Sequence, residues 1–256
     1  MKQIIIAVLA IVAIIGGAIA LGGSETVTAE PSNNFYGQEE GIITVVEYGD
    51  FECPACAGFY PIVSEVKEQF ADQVRFEFRH FPLVQIHANA TAAHRAAQAA
   101  SNQGKFWEMH DILYERQAQW RGNGTGVSHS GVPISSNNPT AIFEEYAREL
   151  ELDMDQFIAD AVLSSTLAVI NADVALAKES GYSSTPTFEI DGVQVEDTNS
   201  IASAELLAGV IQSALDAKNG ADSGSSESGD APASEEAPIE STDVESTTEE
   251  VETSGQ

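Results

Sequence analysis

Residues 42–56, Ile42-Ile43-Thr44-Val45-Val46-Glu47-Tyr48-Gly49-Asp50-Phe51-Glu52-Cys53-Pro54-Ala55-Cys56, decide how this chain folds. The run Ile42–Tyr48 is β-branched and apolar, as in a strand covered on both faces in a largely parallel sheet. From Cys53 to Phe70 the pattern changes: Phe59, Ile62, Val63, Val66 and Phe70 recur at helical spacing. A Cys-x-x-Cys pair therefore stands where a buried strand gives way to a helix.

That placement has chemical consequences. Cys53 and Cys56 are the chain's two cysteines, so a framework of structural disulfides is excluded. Residues three apart on a helical turn lie roughly 5 to 6 Å apart, within disulfide range. A helix N-terminus offers free N–H donors and partial positive charge, which stabilise a thiolate at Cys53. A thiolate is the species that attacks a disulfide, and a stabilised one leaves readily. Pro54 suits the first helical turn, where its missing N–H costs nothing. Cys53 is expected to form the mixed disulfide with substrate and Cys56 to resolve it. Two blander readings stand beside this one. The pair is an inert local disulfide, or half of a zinc site. Zinc needs four ligands, and His80, His87, His94, His110 and His129 show no ligand spacing near the cysteines. The pattern calls for no cofactor and no metal.

Two further positions support a redox site. Glu47, six residues before Cys53, lies within the apolar strand. A buried carboxyl there has a raised pKa and can relay protons to and from Cys56; the alternative is a glutamate reaching solvent at the strand end. Ser184-Thr185-Pro186-Thr187 precedes a returning strand. A cis bond at Thr185-Pro186 exposes backbone groups of Thr185 to a passing peptide, whereas a trans proline merely starts the strand.

Val74–His80 alternates and reads as the next strand, giving a right-handed βαβ unit. A helical block follows: His87–Gln103, Phe106–Gln119, a helix opening at Pro139 with Asn138 as cap, one from Asp153 to about Leu163, and one over Thr166–Ser180. The loop Arg121–Asn138 is rich in Gly, Ser and Asn. Thr187–Ile190 and Val193–Val195 flank the hairpin turn Asp191-Gly192. Ser200 can cap a last helix, Ile201–Ala217. His80 and His87 read as packing or capping residues.

The ends differ from this middle. After Met1-Lys2, Ile4–Leu21 is apolar and uncharged, about 27 Å long as a helix. It reads as an uncleaved transmembrane anchor with Lys2 inside, or as a signal peptide cut near Ala18-Ile19-Ala20. Both put the remainder outside the cytoplasm. Residues 24–40 read as a linker. The tail Asn219–Gln256 holds eleven acidic residues and no Lys or Arg, so the rest carries −18 of the chain's −29. It reads as disordered, because it cannot bury enough apolar surface to offset its ordering entropy. With 43% hydrophobic residues the middle can build a core, and the strong negative charge disfavours nucleic acid as a partner.

The chain resembles the DsbA-like family of thiol-disulfide oxidoreductases in the thioredoxin superfamily. The residues that carry the likeness are 47–56, Phe78-Arg79-His80-Phe81-Pro82-Leu83, Gly104-Lys105-Phe106-Trp107-Glu108-Met109-His110 and Thr185-Pro186-Thr187-Phe188. The likeness covers about Gly41–Ala217. It implies an α/β class: a thioredoxin fold with an inserted helical domain, about residues 84–180. It also implies that Pro186 is a cis-proline, that Glu47 matches the family's buried acid, and that Cys53 and Cys56 take the nucleophilic and resolving roles. Substrate would meet Pro54, Ala55, Thr185 and Pro186. Its partners would be exported cysteine-containing proteins and a quinone-linked thiol oxidase in the membrane. Strongly oxidising members have a histidine where Ala55 stands, and Thr185 resembles members with isomerase or reductase activity. Dithiol oxidase, reductase or isomerase therefore remain open, alongside a membrane-anchored adaptor whose tail binds a partner.

Overall fold

The computed structural model describes residues 27–122 and 139–223. The apolar run Ile4–Leu21 and its cleavage motif, His129 with the loop through Asn138, and the tail past Ser223 lie outside them. Strands β1 (Asn34–Gly37), β2 (Ile43–Gly49), β3 (Val74–His80), β4 (Thr187–Ile190) and β5 (Val193–Gln194) form one sheet in the order β1-β3-β2-β4-β5. β2 and β3 are parallel and joined by α1 (Pro54–Gln69), the βαβ unit that the sequence predicts. The other neighbours are antiparallel.

The register explains the apolar reading of β2. Ile43 and Val45 pack against Val63 and Val66 of α1. Val46 and Tyr48 face the other way, toward Phe81 and Ala177. Glu47 and Gly49 share the α1 face by the two-residue period, paired with Phe78 and His80 of β3. Between β3 and β4 stand α2 (Ala90–Ser101), α3 (Phe106–Glu115), α4 (Gln117–Trp120), α5 (Thr140–Glu149), α6 (Met154–Val162) and α7 (Ser164–Glu179). Their core of Ala93, Ala97, Met109, Leu113, Trp120 and Phe143 is continuous with Phe51, Phe78 and Cys56. The helical insertion is thus packed on the end of the sheet that carries the cysteines. Each large apolar side chain it buries contributes about 1.5–3 kcal/mol. The helix α8 (Ala204–Ser223) covers the far part of α1, with Leu207, Ile211 and Leu215 buried.

Local chemistry corrects several expected boundaries. The stretch 24–40 is not all linker: β1 pairs antiparallel with β3, and Ser32 is tied to Asp173 through its N–H (2.8 Å) and hydroxyl (2.6 Å). The helix expected over Phe106–Gln119 breaks at Arg116, whose φ −108 and ψ 18 leave the helical region. The helix expected from His87 begins at Ala90, because Ile86 and His87 N–H groups are spent in a turn on the Leu83 carbonyl. Pro139 occupies the N-cap position of α5 rather than its first turn. Ser200 caps no α-helix: Asp197 caps a 3₁₀ turn, Thr198–Ile201, and the Ser203 hydroxyl accepts from Leu206 N–H at the head of α8. That helix continues to Ser223, past both Ala217 and Asn219. Asp153 does cap α6, accepting from Gln156 N–H at 3.0 Å. The β4–β5 turn has Asp191 and Gly192 at φ 50 and φ 78, as a two-residue hairpin of primed type requires.

Candidate active site

Cys53 occupies the N-cap of α1, with extended φ −71 and ψ 123, and Pro54 follows in the first turn. Two bonds hold the strand-to-helix corner: Cys53 N–H donates to the Asp50 carbonyl (3.0 Å), and Ala57 N–H donates to the Cys53 carbonyl (3.2 Å). Gln117, from α4, donates through Nε2 to the carbonyls of Phe51 (2.8 Å) and Cys53 (2.9 Å). The insertion therefore clamps the corner from above. Pro54 and Ala55 are exposed, Cys53 is 7% exposed, and Cys56 is fully buried one turn inside. Both thiols are free.

The peptide bond Thr185-Pro186 is cis. It precedes β4, which pairs with β2, and the Thr185 carbonyl lies 3.4 Å from Cys53 Sγ. Cys53, Cys56, Thr185, Pro186, Pro54 and Ala55 are thus brought together at one end of the sheet. A carbonyl can accept only from a thiol, so that contact favours the protonated form. The Thr185 hydroxyl, buried and without another partner, is the donor available to the thiolate.

The two sulfurs are held in opposite states. The Cys56 thiol, hydrogen-bonded to Cys53, lowers the Cys53 pKa to about 5; burial opposes this, while the Thr185 side chain and the N–H groups of Cys56 and Ala55 add to it. Burial pushes Cys56 well above the usual thiol value, helped by its bond to Cys53 and by the Glu47 and Cys53 charges. The Asp50 N–H, 3.5 Å from Cys56 Sγ, opposes that rise. Glu47 is 5% exposed and does not reach solvent. Burial raises its pKa to about 8, against the Lys67 charge, which lowers it, and with the Cys53 charge, which raises it.

Sequence reasoning missed Asp50. Its carboxylate accepts from Glu52 N–H (2.9 Å), Leu83 N–H (2.8 Å) and His87 Nδ1 (2.7 Å), and His94 Nε2 stands 3.7 Å away. Burial alone would raise its pKa; the nearby His94 imidazole and the bonds from His87 and Leu83 outweigh that and leave it lowered. His87 thus ties a loop to the corner rather than starting a helix. His80 packs in the core, with Nδ1 2.8 Å from His94 Nδ1 and Nε2 3.1 Å from Gln98 Oε1. Lys67 was also missed, although it lies on the apolar stripe of α1 one turn from Val63 and from Phe70. A cation at a buried stripe position is a legible signal, because such a charge needs a partner. A cleft of about 360 Å³ beside the thiols is lined by Pro54, Glu52, Ile86, His87 and Arg121. Ile86, 73% exposed, gives it an apolar lip.

A family model described as Thioredoxin matches residues 29–208. Among curated proteins, the Na(+)/H(+) antiporter NhaA 1 of Salinispora arenicola is 36% identical over 179 residues, covering 70% of this chain and 24% of that one. The chain spans about a quarter of the length of the curated relatives it matches first. Among solved structures, a thioredoxin-like oxidoreductase from Silicibacter pomeroyi has TM-score 0.54 and 25% identity, covering 78% of this chain and 99% of that one. The alpha-DsbA1 of Wolbachia pipientis has TM-score 0.59 and 18% identity, covering 77% and 98%. The family match spans most of the described residues, both thiols included, and the insertion between β3 and β4 adds a shared architecture: the chain belongs to the thioredoxin family, in the DsbA-like form of that fold.

Proposed function

We propose that this thioredoxin-family oxidoreductase works outside the cytoplasm as a dithiol oxidase, passing a Cys53–Cys56 disulfide to exported cysteine-containing proteins. A substrate thiolate attacks Cys53 Sγ, a substrate–Cys53 disulfide forms, and the Cys53–Cys56 bond breaks with its electron pair going to Cys56. Glu47 gives that sulfur a proton. The second substrate thiolate then attacks its own mixed disulfide, closing the substrate bond and releasing Cys53 as a thiolate. Thr185 and Pro186 present backbone to the substrate on one side of Cys53, and Pro54 and Ala55 flank it on the other.

The observation that carries this reading is the split between the two thiols. A Cys53 pKa near 5 makes it the better leaving group and stabilises the reduced form, which makes the disulfide the more oxidising partner. The enzyme is held at the cell membrane by residues 4–21, or released after cleavage, and a quinone-linked membrane thiol oxidase restores its disulfide.

One observation favours the reverse direction. Ala55 is exposed beside Cys53 and brings no charge to it, so the thiolate rests on hydrogen bonds alone. A reductase or isomerase would use the same residues. The reduction potential against glutathione separates the two: a value well above about −270 mV, the thioredoxin level, is expected of an oxidase. A value at that level rejects the oxidase and leaves the reductase.

A further inference from the structure

The cleft beside the thiols is built by the corner that holds Cys53. Two chain segments form it, 86–88 and 121–122, and Glu52 and Pro54 complete its lining. Side chains from just before Cys53 fix both segments. Glu52 accepts from Asn89 N–H through Oε2 (2.6 Å) and from Gly122 N–H through Oε1 (2.7 Å). Asp50 accepts from His87 Nδ1 at 2.7 Å. Asn89 Nδ2 donates to the Trp120 carbonyl at 2.9 Å and so ties the two segments to each other. The cleft is therefore preformed, and its volume of about 360 Å³ falls in the range of about 300–1,000 Å³ found for ligand pockets.

Its charge sets it apart from the rest of the surface. The chain has 11 Lys and Arg against 40 Asp and Glu, so carboxylates are in excess for pairing. Seven of the cations in the described residues do pair with one, Lys67 and Arg116 among them. Arg95 donates instead to the carbonyls of Ala161 and Leu163. Among the described residues, the charged ends of Arg121 and Lys178 have neither kind of partner. Arg121 closes α4, with its N–H on the Gln117 carbonyl at 3.0 Å, and its half-buried side chain lines the cleft. Glu52 lines the same cleft, yet both its oxygens are spent on backbone N–H groups, which leaves the guanidinium uncompensated. A guanidinium is a planar fork of donors that matches a carboxylate, and partial burial strengthens such a pair. Lys178 lines a different cleft, with Leu83 and Tyr182, which Pro54 does not border.

We propose that this cleft selects substrate: it takes an Asp or Glu side chain that neighbours the reacting cysteine, and Arg121 is the residue that recognises it. The assignment rests on the exchange reading above and gives its substrates a chemical signature, a cysteine with an acidic neighbour. Pro54 borders the cleft and follows Cys53 directly, one residue step of about 3.8 Å, so the residues next to a substrate cysteine bonded at Cys53 Sγ arrive at the cleft. The acidic side chain pairs with the Arg121 guanidinium, and an apolar neighbour rests on Ile86, which is 73% exposed. Arg121 makes no bond to either sulfur. It raises the fraction of encounters that present the substrate sulfur to Cys53.

The test uses the full chain, reduced, with single-cysteine peptides activated as disulfides of an uncharged aromatic thiol. The Cys53 thiolate attacks the peptide sulfur, the Cys53–peptide disulfide forms, and the aromatic thiolate leaves with the electron pair and is read by its absorbance. Cys56 then displaces the peptide thiolate and closes the Cys53–Cys56 bond. Two peptides differ only in Glu or Gln beside the cysteine. Each is measured with the parent protein and with Arg121→Gln, so that the peptide's own reactivity cancels in the ratio of the two ratios. A coupling of about fivefold in favour of the pair Arg121 and Glu is expected, shrinking toward one at about 1 M salt. Arg121→Met, equally neutral, is a second variant with the same expectation. Lys178→Gln removes the same charge elsewhere and should give a coupling near one. A coupling near one in the folded Arg121 variants, or one matched by Lys178→Gln, overturns the cleft assignment and leaves the exchange reading standing. No aromatic thiolate released from either peptide by the parent protein overturns the exchange reading, and this assignment with it.

Discussion

Replacing Glu47 by Gln should stabilise the reduced protein at neutral pH while impairing its chemistry. The carboxyl is buried, and its pKa rises from 4.5 to about 8 on folding. Because the folded value is the higher one, the folded state binds more protons than the unfolded state between those limits. Stability from this group is therefore full below about pH 4.5 and is lost as pH rises toward 8. At about pH 7 the unfolded carboxyl is ionised and the folded one is still mostly protonated, a difference near 2.5 pH units. At about 1.36 kcal/mol per unit the cost is roughly 3 kcal/mol, against less than about 1 kcal/mol at pH 5. Glutamine keeps the shape and removes the titration. Denaturant unfolding of the reduced protein across that pH range should show the variant gaining on the parent by roughly 2–3 kcal/mol between pH 5 and 7. Parallel pH dependences for the two proteins would refute the burial of a titrating carboxyl at this position.

Three further outcomes follow from the same geometry. Thr185→Val removes the hydroxyl available to the thiolate; each unit by which the Cys53 pKa rises should lower the reduction potential by about 30 mV, read by glutathione equilibration. Ala55→His should move both quantities the other way, because an exposed cation beside Cys53 favours the charged sulfur; an unchanged potential would show that the position is too well screened to matter. Asp50→Ala removes the acceptor for Glu52 N–H, Leu83 N–H and His87, and should cost on the order of 3 kcal/mol in thermal or denaturant unfolding.

The parts of this fold that the sequence predicts are those whose cause is local. Ile43–Gly49 is apolar on both faces because both faces are covered, and the stripe from Phe59 to Phe70 marks α1 because it is the face turned to the sheet. Asp191-Gly192 names its own turn. The resemblance, rather than any spacing, put Thr185-Pro186 beside the thiols. What escaped depends on partners far along the chain. β1 is four residues long, and its strand character comes from the β3 edge. Asp50 reads as a turn residue until Leu83 and His87 close on it from thirty-odd positions away. Gln117 became a clamp only once α4 lay across the corner, and the Phe78 ring and Tyr114 hydroxyl come against β2 at Gly49 only because no side chain stands there. Ser200 failed as a cap because Asp197, three residues earlier, is the better acceptor for the first free N–H groups.

The central claim is that the head of α1 and the Cys56 thiol hold Cys53 as an anion. The direct measurement is the rate of Cys53 alkylation in the reduced protein as a function of pH. A midpoint near 5, with the rate already at its plateau at neutral pH and Cys56 unlabelled, is the expected result. A midpoint near the value of about 8.5 for an ordinary free cysteine would contradict it.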